Sequence, residues 1–282
     1  MTYNKLFFPI GGGEQLEERI NGALLIAKKL NSHVEIFQSV AKPSEIMQFD
    51  ENLPETLLKE LNAVAHNRLE ESLHIHQNLV KTLAEDIGVR ISEKALDNEP
   101  SATFVSRNGY RSKLVEEESK FCDLVIAASP PKGNITATFE TTITKSGKPV
   151  LMFPRVMKSF KDEKVLIGWN NSAEASRALT QSIPLLKNAK EVHIVTSIEY
   201  IKNSNQIEKL QDYLLCHGIK STSKIIETTR IPGQALLNHA NEGNFDIIVA
   251  GAFGRKGLRE LMFGGATKYI LEHTNIPIFM AH

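Results

Sequence analysis

Short apolar runs of four to eight residues alternate with longer stretches of helical periodicity along the whole chain. That alternation builds a parallel sheet covered by helices on both faces. In the C-terminal half the runs predict strands at 165–169, 191–196, 223–227, 246–250 and 277–280. Each is short and rich in Val and Ile, as expected where both faces of a strand are covered. The N-terminal half repeats the order, with strands predicted at 5–10, 33–40, 89–94, 123–127 and 149–153.

Local matches extend the parallel between the halves. Asp123-Leu-Val-Ile-Ala-Ala128 corresponds to Asp246-Ile-Ile-Val-Ala-Gly251, and Lys148-Pro-Val-Leu-Met-Phe153 to Ile276-Pro-Ile-Phe-Met-Ala281. A duplicated domain is the reading these offsets support. Residues 155–164 are charged and carry no strand pattern, so they read as an exposed linker between a domain at 1–157 and a second at 162–282. The first copy is longer by a helical run at 54–87 with a broad apolar stripe that includes Leu57, Leu61, Val64, Val80 and Leu83, a spacing that predicts core packing. His66, His74 and His76 lie around it. Residues two apart on a helix point in different directions, and no acidic or cysteine cluster completes a ligand set, so these read as structural or surface histidines.

Composition narrows the partners. The 33 basic and 33 acidic residues cancel, leaving no overall cationic field for a nucleic-acid backbone or an anionic membrane. The two cysteines, Cys122 and Cys216, have neither zinc nor redox spacing and read as core filler in a reducing compartment. Only a short apolar stretch precedes Gly11-Gly12-Gly13, so neither a cleavable signal peptide nor a membrane span is predicted, and a cytoplasmic location is expected.

The segment most suggestive of chemistry runs from Gly251 through Gly254, Arg255 and the pair Gly264-Gly265 to Ala266 and Thr267, directly after the fourth strand of the second copy. Ligands of open parallel sheets bind beyond the carboxyl ends of strands where strand order reverses. Glycines remove the Cβ atoms that would hold a phosphate away from backbone amides, and the second glycine cluster opens a helical pattern whose first turn suits an anion. Arg255, Lys256 and Arg259 add positive charge, although a cationic surface helix explains them equally.

This loop, with the strand before it and the closing Thr274-Asn-Ile-Pro-Ile278, resembles the nucleotide loop of the ATP-binding universal stress proteins, and the resemblance covers essentially the whole chain. It implies a tandem, Rossmann-like α/β fold of the adenine-nucleotide α-hydrolase kind, with two five-stranded parallel sheets of order 3-2-1-4-5. It also implies that the two halves pack as an internal pseudo-dimer through their fifth strands, with homodimerisation as a further option. The ligand implied is ATP or another adenine nucleotide, with or without magnesium. The family's first-strand turn, Asp-Gly-Ser, corresponds here to Asn170-Asn171-Ser172; Asn170 keeps hydrogen-bonding capacity but not the charge, and Ser172 also reads as the cap of the next helix. Val195 and Thr196 are placed at one edge of the adenine and Ala250 at the other, while Trp169 either shields the site or packs the sheet. Where the family carries Ser or Thr after the last glycine, this sequence has Gly265, leaving Thr267 as the phosphate-contacting hydroxyl.

The first copy has lost these features. The loop after Ala128 is shorter, has one glycine ahead of its helix and contains Pro130 and Pro131, which supply no backbone donors. Gly11-Gly12-Gly13 fits neither phosphate-loop pattern and reads as a tight turn. No nucleophile elbow, metal motif or catalytic-triad order is present, so the sequence identifies no catalyst. Three readings follow: a nucleotide-responsive stress protein, which the glycine loop favours, a slow ATPase, and a nucleotide-free dimerisation scaffold.

Overall fold

A computed structural model describes residues 2–40, 55–131, 134–201, 205–227, 232–252 and 266–282. Its N-terminal half runs β1 (Lys5–Ile10), α1 (Leu16–Leu30), β2 (His33–Val40), α2 (Glu55–Ile87), β3 (Arg90–Ile91), β4 (Ser101–Asn108), α3 (Arg111–Glu118), β5 (Leu124–Ala128), α4 (Ala137–Thr144) and β6 (Val150–Phe153). The C-terminal half runs β7 (Lys164–Gly168), α5 (Ala173–Leu186), β8 (Glu191–Ser197), α6 (Gln206–Cys216), β9 (Thr222–Ile226), α7 (Pro232–Glu242), β10 (Ile247–Gly251), α8 (Ala266–His273) and β11 (Ile278–Ala281).

The described strands form one sheet in the order β3-β4-β2-β1-β5-β6-β11-β10-β7-β8-β9. Leaving the short β3 aside, each half has the order 3-2-1-4-5 counted in its own strands, and neighbours within a half are parallel. The fifth strands meet antiparallel, with Leu151 opposite Phe279. The two five-stranded parallel sheets thus meet through their fifth strands as expected and join into one continuous sheet, because two fully apolar edge strands satisfy each other's backbone groups where they touch.

Duplication reaches individual hydrogen bonds. Asp123 Oδ2 accepts from the amides of Asn4 and Lys5 at 2.8 and 2.9 Å. Asp246 Oδ2 does the same for Glu163 and Lys164 at 3.1 and 2.9 Å. In both halves the carboxylate entering the fourth strand thus holds the start of the first. Ahead of the fifth strand, the hydroxyls of Ser146 and Thr274 each bridge the amide and carbonyl two residues on.

Four expectations change. The third strand of the first half is Ser101–Asn108, which pairs with β2 along its full length; of 89–94 only Arg90–Ile91 joins the sheet, outside β4 and exposed. Ser101 and Ala102 are fully buried, whereas the charged run after Val89 suits an edge. The linker is not simply exposed: Met157 and Phe160 enter the core, and the buried Asp162 pairs with Lys29 of α1 at 3.0 Å. One face of the sheet buries a cluster drawn from both halves, including Phe8, Leu24, Phe153 and Phe279.

The stripe on α2 is core only at its C-terminal end. Val80 and Ala84 are buried while Leu57, Leu61 and Val64 are exposed. At about 1.5 Å per residue this helix is about 50 Å long, roughly twice an eight-residue strand, so its start overhangs the sheet. His76 on this helix bonds Gln38 at 2.8 Å and His66 approaches Glu70 at 3.2 Å. No group of metal-binding side chains occurs among the described residues. Cys122 is buried, and burial holds its thiol up at about 12, but Cys216 is exposed rather than core filler.

Candidate functional site

β7 is flanked by β8 and β10, so strand order reverses beside it, and a crevice opens beyond the carboxyl ends of these strands. Gly168 pairs with Val195 on one side and Ala250 on the other, so the three form a row on one face. Above that row lies a cavity of about 110 Å³. Its walls include Trp169, Asn170, Val195, Thr196, Ala250 and Gly251, six of the residues singled out from sequence. Sequence reasoning missed Ser197, Tyr200 and Ile226 on the β8 and β9 side, Gly233, Ala235 and Leu236 from α7, and Ile270 from α8. Pro232 followed by Gly233 is a helix-start signal that points to the α7 contribution.

The turn after β7 has a defined hydrogen-bond chain. Asn170 Oδ1 accepts from the Ser172 amide at 3.2 Å and from its hydroxyl at 2.7 Å. The same hydroxyl accepts from the Ala175 amide at 3.1 Å, capping α5 as expected. Asn170 thus orients the cap as well as lining the cavity. Asn171 adopts the left-handed region at φ 57° and is absent from the cavity wall.

Three buried polar atoms have no hydrogen-bond partner among the described residues and belong to residues of the cavity wall: Trp169 Nε1, Thr196 Oγ1 and Ser197 Oγ. An unmatched buried hydroxyl costs about 1 to 3 kcal/mol, so one on the cavity's own face calls for a polar occupant. Side chains alternate along a strand. Ser197 consequently shares the face of Val195, and Thr196 lies on the other.

Gly251 has a packing role. A Cβ there would lie 2.5 Å from the Ala175 amide nitrogen and 2.8 Å from the Glu174 carbonyl carbon, so α5 rests directly on this residue. At Gly168 the obstacle is a Leu236 methyl at 2.9 Å. The glycine loop itself, with Gly254, Arg255, Gly264 and Gly265, lies outside the described residues, as do Lys256 and Arg259. Ala266 and Thr267 open α8, the helix expected after the second glycine cluster.

The family model described as "Universal stress protein family" matches residues 162–282. A universal stress protein of Synechocystis is 23% identical over 248 residues, spanning 79% of this chain and 78% of that protein. The crystal structure of a universal stress protein from Archaeoglobus fulgidus superposes over 99% of this chain and 96% of its own, with TM-score 0.70 and 16% identity. The chain is thus similar to universal stress proteins along most of its length and matches their family model in its C-terminal half. A putative universal stress protein from Pseudomonas aeruginosa shares the fold at TM-score 0.53 and 14% identity, over 98% of this chain and 92% of its own. No described helix is long and apolar enough to cross a membrane.

Proposed function

We propose that this chain is a universal stress protein that binds one adenine nucleotide, ATP in preference, in its C-terminal half and responds by changing its shape or its affinity for a partner. The reading takes 162–282 as the binding domain and 1–157 as a degenerate copy that packs against it. The observation that carries it is the unpartnered buried hydroxyl of Ser197, on the same face as the apolar row of the cavity. A purine offers that combination, with flat apolar faces and a polar edge. In this reading Asn170 contacts the nucleoside, and the amides of Gly254 and of Gly264, Gly265 and Ala266 hold the phosphates. Thr267 adds a hydroxyl and Arg255 a countercharge. Bound magnesium would neutralise phosphate charge there.

Titration calorimetry with ATP, ADP and AMP tests this. The expected stoichiometry is near one per chain. Gly264→Val should abolish binding with an unchanged circular dichroism spectrum, and Thr267→Ala should weaken it by about 1 to 2 kcal/mol for one lost hydrogen bond. Absence of binding at millimolar nucleotide, or equal binding by Gly264→Val, would hand the lead to the scaffold reading.

A further inference from the structure

The first half has its own crevice, at the carboxyl ends of β1 and β5, and it holds a different chemistry. A cavity of about 390 Å³ there is bordered by three arginines distant in sequence: Arg19 of α1, Arg111 at the start of α3, and Arg155 just after β6. Arg19 is buried, Arg155 half-buried, and Arg111 exposed at the mouth. Among the described residues no carboxylate lies within ion-pair distance of any of them. Burial, then the charges of Arg155 and Arg111, bring the Arg19 guanidinium down to about 10, against a smaller opposing effect of Glu18.

Backbone clamping accounts for part of this arrangement. Arg19 donates to the carbonyls of Gly11 and Gln15 at 3.1 Å each. Arg155 donates to Glu14 O at 2.6 Å, Ser129 O at 3.2 Å and Gln15 Oε1 at 2.8 Å, tying the turn after β1 to the loop after β5. Clamping does not account for Arg111. Its Nε donates to Ser39 Oγ at 3.2 Å, while its two terminal nitrogens have no acceptor among the described residues. That guanidinium lies over Gly11, in the space a Cβ would occupy. Three like charges at one cavity repel one another, and a bound anion converts that repulsion into attraction.

The apolar row of the other half is built here from larger side chains. Asp123 and Asp246 grip equivalent residues at Lys5 and Lys164, which sets Pro9 in the position of Gly168. Pro9 pairs with Phe37 as Gly168 pairs with Val195. Phe37 is buried and packs on Phe7 with ring centroids 5.4 Å apart. A proline and a phenylalanine therefore fill the row that is open in the other half.

We propose that the N-terminal half carries a second ligand site, in which Arg19, Arg111 and Arg155 bind a small phosphate-bearing anion that has no nucleobase. The outward fork of Arg111 matches two phosphate oxygens, and Thr136 and Thr138 border the same cavity. Free phosphates and sugar phosphates share this chemistry.

The test is titration calorimetry of the full chain with pyrophosphate and with ribose 5-phosphate, and with succinate as a non-phosphate dianion. Saturable binding of at least one phosphate compound is expected, weakening as ionic strength rises. Arg111→Gln, a substitution at an exposed position, should weaken it by about tenfold or more for a lost charge-assisted bidentate contact, while leaving ATP binding unchanged. Gly264→Val should do the converse and leave pyrophosphate binding intact. Tighter binding of pyrophosphate than ribose 5-phosphate would identify the free anion as the ligand, and the reverse order the sugar ester. The proposal is overturned if neither phosphate compound binds at millimolar concentration, if Arg111→Gln binds as the parent does, or if succinate binds equally well.

Discussion

Replacing Gly251 by alanine tests whether this residue supports α5 or merely leaves room for phosphate. The new methyl would sit 2.5 Å from the Ala175 nitrogen, against ordinary contact at 3.4 Å or more, so the first turn of α5 must recede by about 0.9 Å. Backbone cannot swing aside as a side-chain tip can. Overpacking costs typically about 1 to 3 kcal/mol, and displacing the Ser172 cap adds up to about 1 kcal/mol. Against this stands an unfolded-state gain of about 0.4 to 1 kcal/mol for any glycine-to-alanine change. The expected net loss is about 2 kcal/mol, near the middle of the range these contributions span. Gly168→Ala meets only the Leu236 methyl, so its packing cost is about 1 kcal/mol or less and its net effect near zero. Urea denaturation followed by circular dichroism measures both. A Gly251→Ala protein within about 0.5 kcal/mol of the parent, or a Gly168→Ala protein that loses more, would refute the packing argument.

Other outcomes follow from the same contacts. Asn170→Ala and Ser172→Ala should each lose about 1 kcal/mol of stability, with the double variant losing less than the sum because the two share one hydrogen-bond chain; a double-mutant cycle in urea reads the coupling. Asp246→Ala should cost about 2 kcal/mol in the same denaturation assay, for two charge-assisted amide bonds, and more than Asp123→Ala, whose equivalent bonds are more exposed. Burial lowers the pKa values of His33, His76, His193 and His239, so the unfolded chain binds protons that the folded one does not. Their contribution is complete above the unfolded value of about 6.5 and is lost as pH falls below it, so the melting temperature should drop between about pH 7 and pH 5. His33→Gln, which keeps a hydrogen-bonding group for Ser101, should flatten that drop.

Much of this was legible because buried parallel strands announce themselves as continuous apolar runs. All five strands of the C-terminal half lie within a residue or two of where the runs put them. β4 was missed because Ser101, Thr103 and Ser106 dilute its apolar content, while the nearby Val89 run looked equally strand-like. At the site, the strand ends were readable: Trp169, Asn170, Val195, Thr196, Ala250 and Gly251 all border the cavity. The helices that roof it were not, because which side chain of α7 or α8 reaches a cleft depends on how a crossover packs. Gly251 shows a further limit, since a glycine needed for close helix packing and one needed for phosphate look the same in sequence. The three arginines were invisible for a different reason. Nothing in their spacing relates residues 19, 111 and 155 until the sheet brings their elements to one crevice.

The antiparallel junction of β6 and β11 has a bearing on how the two halves came to differ. In a symmetric dimer every substitution appears on both sides of the interface, so no subunit can trade its ligand for another without its partner doing likewise. Joining the copies through residues 154–163 makes their encounter intramolecular, at an effective concentration set by a short tether rather than by expression level. Each face of the junction can then change alone. Phe37 and Pro9 can occupy the row in one crevice while Val195 and Gly168 occupy it in the other, and a single polypeptide gains two unlike pockets held at a fixed separation by one shared sheet.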